Sequence, residues 1–144
     1  MNFRLIANTT SYVLWVETGF LLLPLLVSVL YGEPWMPFFA TAVLCILIGF
    51  ILQLVPVKKA QMHSRDGFMV VALGWIALSL TGALPYVFSG ALNDYVDAIF
   101  ETVSGLTTTG STVFPEVEHL HRSVLLWRSL TQWMGGMGVL VLFL

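Results

Sequence analysis

A run of hydroxyl residues and glycines, FETVSGLTTTGSTVF from Phe100 to Phe114, carries the chemistry of this sequence. It begins with one carboxylate, Glu101, and continues to three consecutive threonines before Gly110. Threonine prefers extended backbone, and glycine admits the positive φ that lets neighbouring carbonyl oxygens point the same way. Carbonyl oxygens arranged in this way can replace the hydration shell of a cation. The run therefore predicts a cation site built from backbone carbonyls more than from hydroxyls.

A short helix is predicted directly before these threonines. Asp94 or Asp97 can cap its start, because acidic side chains accept bonds from free N–H groups and favour the positive end of the helix dipole. Apolar residues recur at helical spacing up to Leu106, and ten residues span about 15 Å, half of a bilayer. A chain that stops halfway must return, through backbone that is buried in protein or lines water. We therefore predict a re-entrant helix over residues 97–106 and an extended return strand over residues 107–112.

Two interpretations of the hydroxyl-rich run are open on these grounds. Acidic residues on both sides of it would concentrate cations at the mouth of a pore. They are Asp94, Asp97, Glu116 and Glu118. A cluster of threonine, serine and glycine is, however, also typical of a plain surface loop. The choice between a filter and a loop depends on whether the flanking sequence lies in a membrane.

The composition places the chain among membrane proteins. Of 144 residues, 58% are hydrophobic and 10% are charged, whereas soluble domains are about 45–50% apolar and about 25% charged. The single cysteine, Cys45, lies in an apolar run and excludes an intramolecular disulfide. The sequence contains no Ser/His/Asp set, HExxH motif, phosphate loop, nucleic-acid-binding patch or cofactor motif. We therefore predict neither an enzyme nor a cofactor, and no nucleic-acid partner.

Four segments are long and apolar enough to cross about 30 Å of hydrocarbon as helices. They are Val13–Tyr31, Phe38–Val55, Phe68–Phe88 and Val124–Leu144. The predicted fold is an all-α membrane protein, in which an N-terminal two-helix hairpin (residues 1–60) precedes one unit of membrane helix, re-entrant helix and membrane helix (residues 61–144).

The distribution of charge predicts the orientation in the membrane. The linker between the second and third spans carries Lys58, Lys59 and Arg65, and Arg4 precedes the first span. Residues 89–122 contain one basic and five acidic residues. Because basic residues stay on the cytoplasmic side, we predict a multi-pass membrane protein with a cytoplasmic N-terminus and residues 89–122 outside.

Three stretches together resemble the Trk/Ktr/HKT superfamily of potassium transporters, and within it the Trk-type membrane subunit. They are SRDGF (64–68), FETVSGLTTTGSTV (100–113) and LWRSLTQWMGGMGVLVL (126–142), in the order and spacing of that family. The resemblance implies four covalently joined helix/pore-helix/helix units around a central pore, with an extra hairpin in front. The uncapped apolar end at Leu144 also indicates a fragment of a longer chain, which the resemblance extends by three further pore units.

The resemblance also assigns the site and the partners. It implies potassium uptake through a filter to which the backbone around Thr108, Thr109, Gly110 and Ser111 contributes one quarter, with potassium at Thr108 and Thr109. In related plant transporters a serine at the glycine position goes with sodium preference, so Gly110 resembles the potassium-selective pattern. Further implications are a homodimer in the lipid bilayer and a peripheral cytoplasmic subunit that binds nucleotide and regulates transport.

Several side chains near this site have two interpretations each. Glu101 either bonds the filter or caps the helix start, and Arg128 either braces the filter or extends to the headgroups. For Glu17, packing or extension to the headgroups is favoured over a proton relay. For the three glycines Gly135, Gly136 and Gly138, close helix packing is favoured over a gating hinge.

Two other functions compete with potassium uptake. One is a small homotetrameric cation channel, against which the leading hairpin and the lack of a Tyr-Gly pair after Gly110 count. The other is a membrane scaffold or accessory subunit that does not transport, in which the threonine-rich loop contacts a partner.

Overall fold

The chain is helical throughout most of the part that the computed structural model describes, residues 3–54 and 64–143. Six helices occur in these residues: α1 (Phe3–Tyr31), α2 (Met36–Gln53), α3 (Ser64–Gly82), α4 (Leu84–Phe88), α5 (Tyr95–Leu106) and α6 (Arg122–Phe143). The prediction of an all-α fold is confirmed. The basic linker with Lys58 and Lys59, and with it the boundary at residue 60, lies outside the described residues, as does the side chain of Arg65. The orientation and the division into 1–60 and 61–144 therefore stay predictions.

Three helices have the length and hydropathy of membrane spans: Arg4–Tyr31, Met36–Gln53 and Asp66–Phe88. The predicted fourth span is a helix of 22 residues, α6, but over its described residues it does not reach that hydropathy. Polar residues in its first half lower the average, and two of them, Arg128 and Thr131, are directed towards α5.

Helix α1 begins about ten residues before the predicted span, so the start at Val13 was wrong. The polar residues before Val13 are compatible with a helix because their hydroxyls bond back to it. Thr9 Oγ1 donates to the Leu5 carbonyl at 2.9 Å and Thr10 Oγ1 donates to the Ile6 carbonyl at 2.9 Å. Bonds of this kind satisfy the hydroxyl within the helix itself.

The turn between α1 and α2 is tight, as predicted for residues 32–37. Gly32 takes a φ of 69°, a conformation that favours glycine. The next residue, Glu33, donates its backbone N–H to the Ser28 carbonyl at 2.8 Å. This turn closes the hairpin of α1 and α2 and projects the Glu33 side chain outward from it.

The hydrophobic core lies where α5 packs against the longer helices. Tyr86 and Trp127 are completely buried there, and Phe114 is 6% exposed. The indole of Trp127 donates to the Gly82 carbonyl at 2.9 Å, which joins α6 to the end of α3. Helix α5 therefore packs against α3, α4 and α6, while the chain that follows it reaches the surface.

Candidate functional site

The start of α5 is fixed by one side chain. Asp94 is the N-cap residue in extended conformation, and its carboxylate accepts the Val96 N–H at 2.8 Å. Helix α5 therefore begins at Tyr95, two residues before the prediction, and it ends at Leu106 as predicted. Its 12 residues give a length of about 18 Å, again too short to cross a membrane.

The first residues after α5 form a helix-ending turn rather than an extended strand. Thr108 N–H donates to the Gly105 carbonyl at 2.9 Å, and Thr109 N–H donates to the Ser104 carbonyl at 3.0 Å. This pair of bonds defines a Schellman motif, in which the residue after the C-cap takes the left-handed conformation. The prediction of extended backbone from residue 107 was wrong for the first two residues, because the free carbonyls at the end of α5 take up these N–H groups.

The residue in the left-handed conformation is Thr108, with a φ of 56°. A β-branched side chain at positive φ is an outlier that costs of the order of 1–3 kcal/mol and is concentrated at functional sites. Gly110 follows two residues later with a φ of 78°, as predicted for a glycine that redirects the backbone. Two positive-φ residues therefore flank Thr109.

The backbone after the turn leaves carbonyl oxygens free. Within the described parts of the chain, no N–H or O–H group donates to the carbonyls of Thr108, Thr109 or Gly110. The Ser111 carbonyl differs, because it accepts a bond of 2.6 Å from the Ser104 hydroxyl. Residues 107–112 are exposed, so this segment lies at the surface of the chain.

Glu101 ties the returning chain to α5 and α6. It is 1% exposed, and its Oε2 accepts the Val113 N–H at 3.1 Å and the Thr112 hydroxyl at 3.0 Å. Its Oε1 accepts a bond of 2.5 Å from Nε of Arg128 on α6. Of the two interpretations, the geometry favours a bond to the returning backbone over a cap at the helix start. Arg128 braces Glu101 from α6 rather than extending away from the protein.

Two glycines allow α6 to approach α5 closely. A Cβ on Gly135 would overlap the backbone carbonyl of Leu106, the last residue of α5, and a Cβ on Gly105 would lie 2.5 Å from Oγ1 of Thr131. Gly136 and Gly138 are not packed in this way, since their nearest neighbours would lie at 3.8 Å and 4.0 Å. Close packing is therefore confirmed for Gly135, and its partner is the end of α5.

A contact that the sequence analysis missed joins the hairpin turn to the start of α6. Glu33 Oε1 accepts the Arg122 N–H at 2.8 Å, and Glu33 Oε2 accepts the Ser123 N–H at 2.9 Å and the Ser123 hydroxyl at 2.6 Å. The Arg122 guanidinium also lies 4.4 Å from the centre of the Tyr31 ring. The carboxylate satisfies free N–H groups at the helix start, as an N-cap does. No local signal predicts it, because about 90 residues separate the partners.

We expect Glu33→Ala to weaken the attachment of the hairpin to α6. Burial alone would raise the pKa of Glu33, but the bonds from Ser123 and Arg122 outweigh it and lower the pKa below its ordinary value of 4.5. A group with a lowered folded-state pKa contributes stability that is present above the unfolded value and lost as the pH falls through the folded value. As the pH is lowered beneath 4.5, the thermal midpoint of the wild type should therefore decrease more steeply than that of the variant.

The loss at neutral pH should be about 0.5–2 kcal/mol, as for other helix caps. Glu116→Ala is the matched control, because Glu116 is a largely exposed carboxylate that pairs with His119 near the same helix. Equal acid sensitivity in wild type and Glu33→Ala would show that the bonds of Glu33 do not stabilise the fold.

Comparison with known proteins places the chain in a family. The family model TrkH, described as a cation transport protein, matches residues 35–144. The Trk system potassium uptake protein TrkH of Salmonella typhimurium is 38% identical over 99% of this chain and 30% of its own length. TrkG of Escherichia coli, also named a Trk system potassium uptake protein, is 36% identical over 96% of this chain and 29% of its own length.

A solved structure agrees with the sequence relatives. The crystal structure of the potassium transporter TrkH from Vibrio parahaemolyticus matches with a TM-score of 0.92 and 35% identity, over 99% of this chain and 31% of that one. The chain thus spans about 30% of the length of the curated relatives that it matches. These relatives are transporters and not enzymes. By its sequence and its fold, the chain belongs to the TrkH family of cation transport proteins.

Proposed function

We propose that this chain contributes one quarter of a potassium-selective filter in a Trk-type uptake protein. The proposal rests on the backbone of residues Thr108–Gly110. The three carbonyls of this segment accept no bond from the described residues. Two of its residues, Thr108 and Gly110, have positive φ. Carbonyls without a protein donor are available to replace the water around a cation. The names of the relatives, potassium uptake proteins, supply the ion.

The ion in this proposal is bound by backbone oxygens of Thr108 and Thr109, and Gly110 supplies the turn. Ser111 lies at the margin of the site, where its carbonyl is already engaged by Ser104. The C-terminal end of α5, which carries the negative end of the helix dipole, adds to the attraction for a cation. Potassium is the transported ion here, and the proposal includes no cofactor.

The remaining parts of the proposal rest on the family. Residues 1–60 form the leading hairpin and residues 61–144 the first pore unit, with span 68–88, pore helix 97–106, filter 107–112 and span 124–144. Three further units complete the pore of a protein in the bacterial inner membrane, with its N-terminus in the cytoplasm. A homodimer and a peripheral nucleotide-binding regulatory subunit are the proposed partners.

Complementation tests the filter. The full-length gene is expressed in a strain that lacks its own potassium uptake and grows only on high potassium. We expect the wild type to restore growth at low potassium, and Gly110→Ser to lower the preference for potassium and to admit sodium, because a Cβ at a φ of 78° strains and shifts the coordinating backbone.

Gly90→Ser is the matched control. Gly90 has a φ of 71° and, like Gly110, has open space where a Cβ would lie, but it precedes α5 and lies outside the filter segment. Both variants carry similar backbone strain, and only Gly110→Ser should change the ion ranking. Equal rescue by Gly110→Ser without sodium entry would contradict the filter assignment.

A further inference from the structure

A second carboxylate, Glu17, is buried in the middle of α1 and has no role in the proposed filter. It is 1% exposed in a helix with the composition of a membrane span. Among the described residues no cationic side chain lies within ion-pair distance of it. An ionisable group at such a position requires an explanation, since an unpaired charge in hydrocarbon is costly.

The groups that face Glu17 come from the neighbouring helices and are neutral. The Cys45 thiol of α2 lies 3.8 Å from Oε2, and the Thr81 hydroxyl of α3 lies 2.6 Å from the same oxygen. Behind them, Gly82 separates Glu17 from Thr102 of α5 and Trp127 of α6. Apart from Glu17 itself, Cys45 is the titratable group in this set, and none of its members carries a positive charge.

The hydrogen atoms in this cluster can be counted. The Thr81 hydroxyl lies 2.7 Å from the Ala77 carbonyl as well as 2.6 Å from Glu17, yet a hydroxyl has one hydrogen to donate. A carbonyl can only accept, so the hydrogen of Thr81 is directed to Ala77, the usual bond of a threonine within a helix. With the Thr81 hydrogen on the Ala77 carbonyl, the contact of 2.6 Å to Glu17 is a hydrogen bond only if Glu17 is a carboxylic acid that donates to the Thr81 hydroxyl.

The other oxygen of Glu17 supports the same conclusion. Its Oε1 has no hydrogen-bond partner in the described structure and would lie 3.3 Å from a Cβ on Gly82. A charged oxygen left unpaired costs more than the carbonyl oxygen of a neutral acid. A neighbouring cavity of about 470 Å³ offers no counter-charge, because Glu17 is the one ionisable residue among its described lining residues.

We propose that Glu17 is a proton-binding site within the membrane, and that the protonated acid donates a hydrogen bond to the Thr81 hydroxyl, which joins α1 to α3. Thr81 and Gly82 accommodate the acid, because the Thr81 hydroxyl accepts this hydrogen bond and Gly82 leaves room for Oε1. A Cβ at Gly82 would also come within 2.9 Å of Thr102, the residue next to Glu101. The bond from Glu17 to Thr81 therefore lies directly beside the residue, Gly82, at which α3 packs against α5.

This inference does not rest on potassium binding, and infrared spectroscopy tests it directly. The full-length protein is purified in lipid nanodiscs at neutral pH, and the carbonyl stretch of protonated carboxylic acids is recorded for wild type, Glu17→Gln and Thr81→Val. We expect one acid band that disappears in Glu17→Gln and moves to higher frequency in Thr81→Val, because the acid loses its acceptor there. Glu116→Gln, a change of an exposed carboxylate, is the control and should leave the band unchanged.

Thermal unfolding of two Glu17 variants supplies a second readout. Glu17→Gln keeps an N–H donor for Thr81 without a charge, so its midpoint should stay close to that of the wild type. Glu17→Ala removes the donor and leaves a cavity, and its midpoint should fall by several degrees. The absence of a band that Glu17→Gln removes would overturn the proposal, as would a Glu17→Gln variant that is destabilised as much as Glu17→Ala.

Discussion

Glu101→Ala is expected to abolish potassium uptake by the full-length protein, and Glu101→Gln is expected to retain part of it. The carboxylate accepts three bonds, from Arg128, Thr112 and the Val113 N–H. Removing one partner of a buried ion pair costs about 3–5 kcal/mol, and the lower end applies here because the Arg128 side chain is 28% exposed. Alanine leaves all three donors unpaired, so the segment that returns from α5 loses its attachment.

The glutamine variant separates charge from geometry. Its amide oxygen can accept one or two of the three bonds, but it cannot neutralise Arg128. The order of potassium uptake should therefore be wild type, Glu101→Gln and then Glu101→Ala, with a change in the ranking of potassium over sodium wherever the filter backbone moves. Uptake of potassium and sodium isotopes at matched expression levels measures both quantities.

A double-mutant cycle tests whether Arg128 acts on the filter through Glu101. If Arg128 acts through Glu101, the losses of uptake in Glu101→Gln and Arg128→Gln should not add in the double variant, because residues in direct contact couple. Transport and ion ranking that are unchanged in Glu101→Ala would defeat the assignment of Glu101 as a support of the filter.

The backbone after α5 shows why the sequence predicted only part of this site. The end of α5 at Leu106 and the positive φ of Gly110 follow from local signals, the apolar period and the glycine. Thr108 has neither signal, since three consecutive threonines indicate extended chain. Its φ of 56° arises because the carbonyls of Ser104 and Gly105 bond the next N–H groups, and this gain exceeds the local preference of one threonine.

Contacts between distant parts of the chain could not be predicted from the sequence. The helical spans follow from composition alone, and Glu101 and Arg128 were each considered as supports of the filter. Neither periodicity nor a motif indicates that Glu33 bonds the start of α6, or that Glu17 meets Thr81, because these contacts depend on how the hairpin docks on the following helices. For Glu17 the sequence favoured packing or extension to the headgroups, and it assigned no role to Glu33.

Gly135→Ala is expected to have the second largest effect, through a purely steric mechanism. A Cβ at this position would overlap the backbone of Leu106, and backbone at the end of a helix cannot move aside as a flexible side chain can. Helix α6 must therefore shift away from α5, at a cost of about 1–3 kcal/mol or more for overpacking in a well-packed core. Because the turn at Thr108 begins two residues after Leu106, the same shift displaces the proposed filter.

Gly136→Ala and Gly138→Ala are the matched controls on the same helix. A Cβ at these positions meets its nearest neighbour at 3.8 Å and 4.0 Å, which is ordinary contact. Alanine is favoured over glycine in helices by about 0.5–1 kcal/mol, so both controls should be as stable as the wild type or slightly more stable. The measurements are thermal unfolding in detergent and potassium uptake at matched expression.

The three variants also decide between packing and a gating hinge for this group of glycines. A hinge requires the freedom of the glycine backbone, so it predicts that alanine impairs transport at Gly136 or Gly138 without loss of stability. Packing predicts that stability and transport fall together, and at Gly135 alone. Because the close approach to Leu106 exists at Gly135 and not at its neighbours, we expect the second pattern, and a Gly135→Ala protein as stable as Gly136→Ala would refute it.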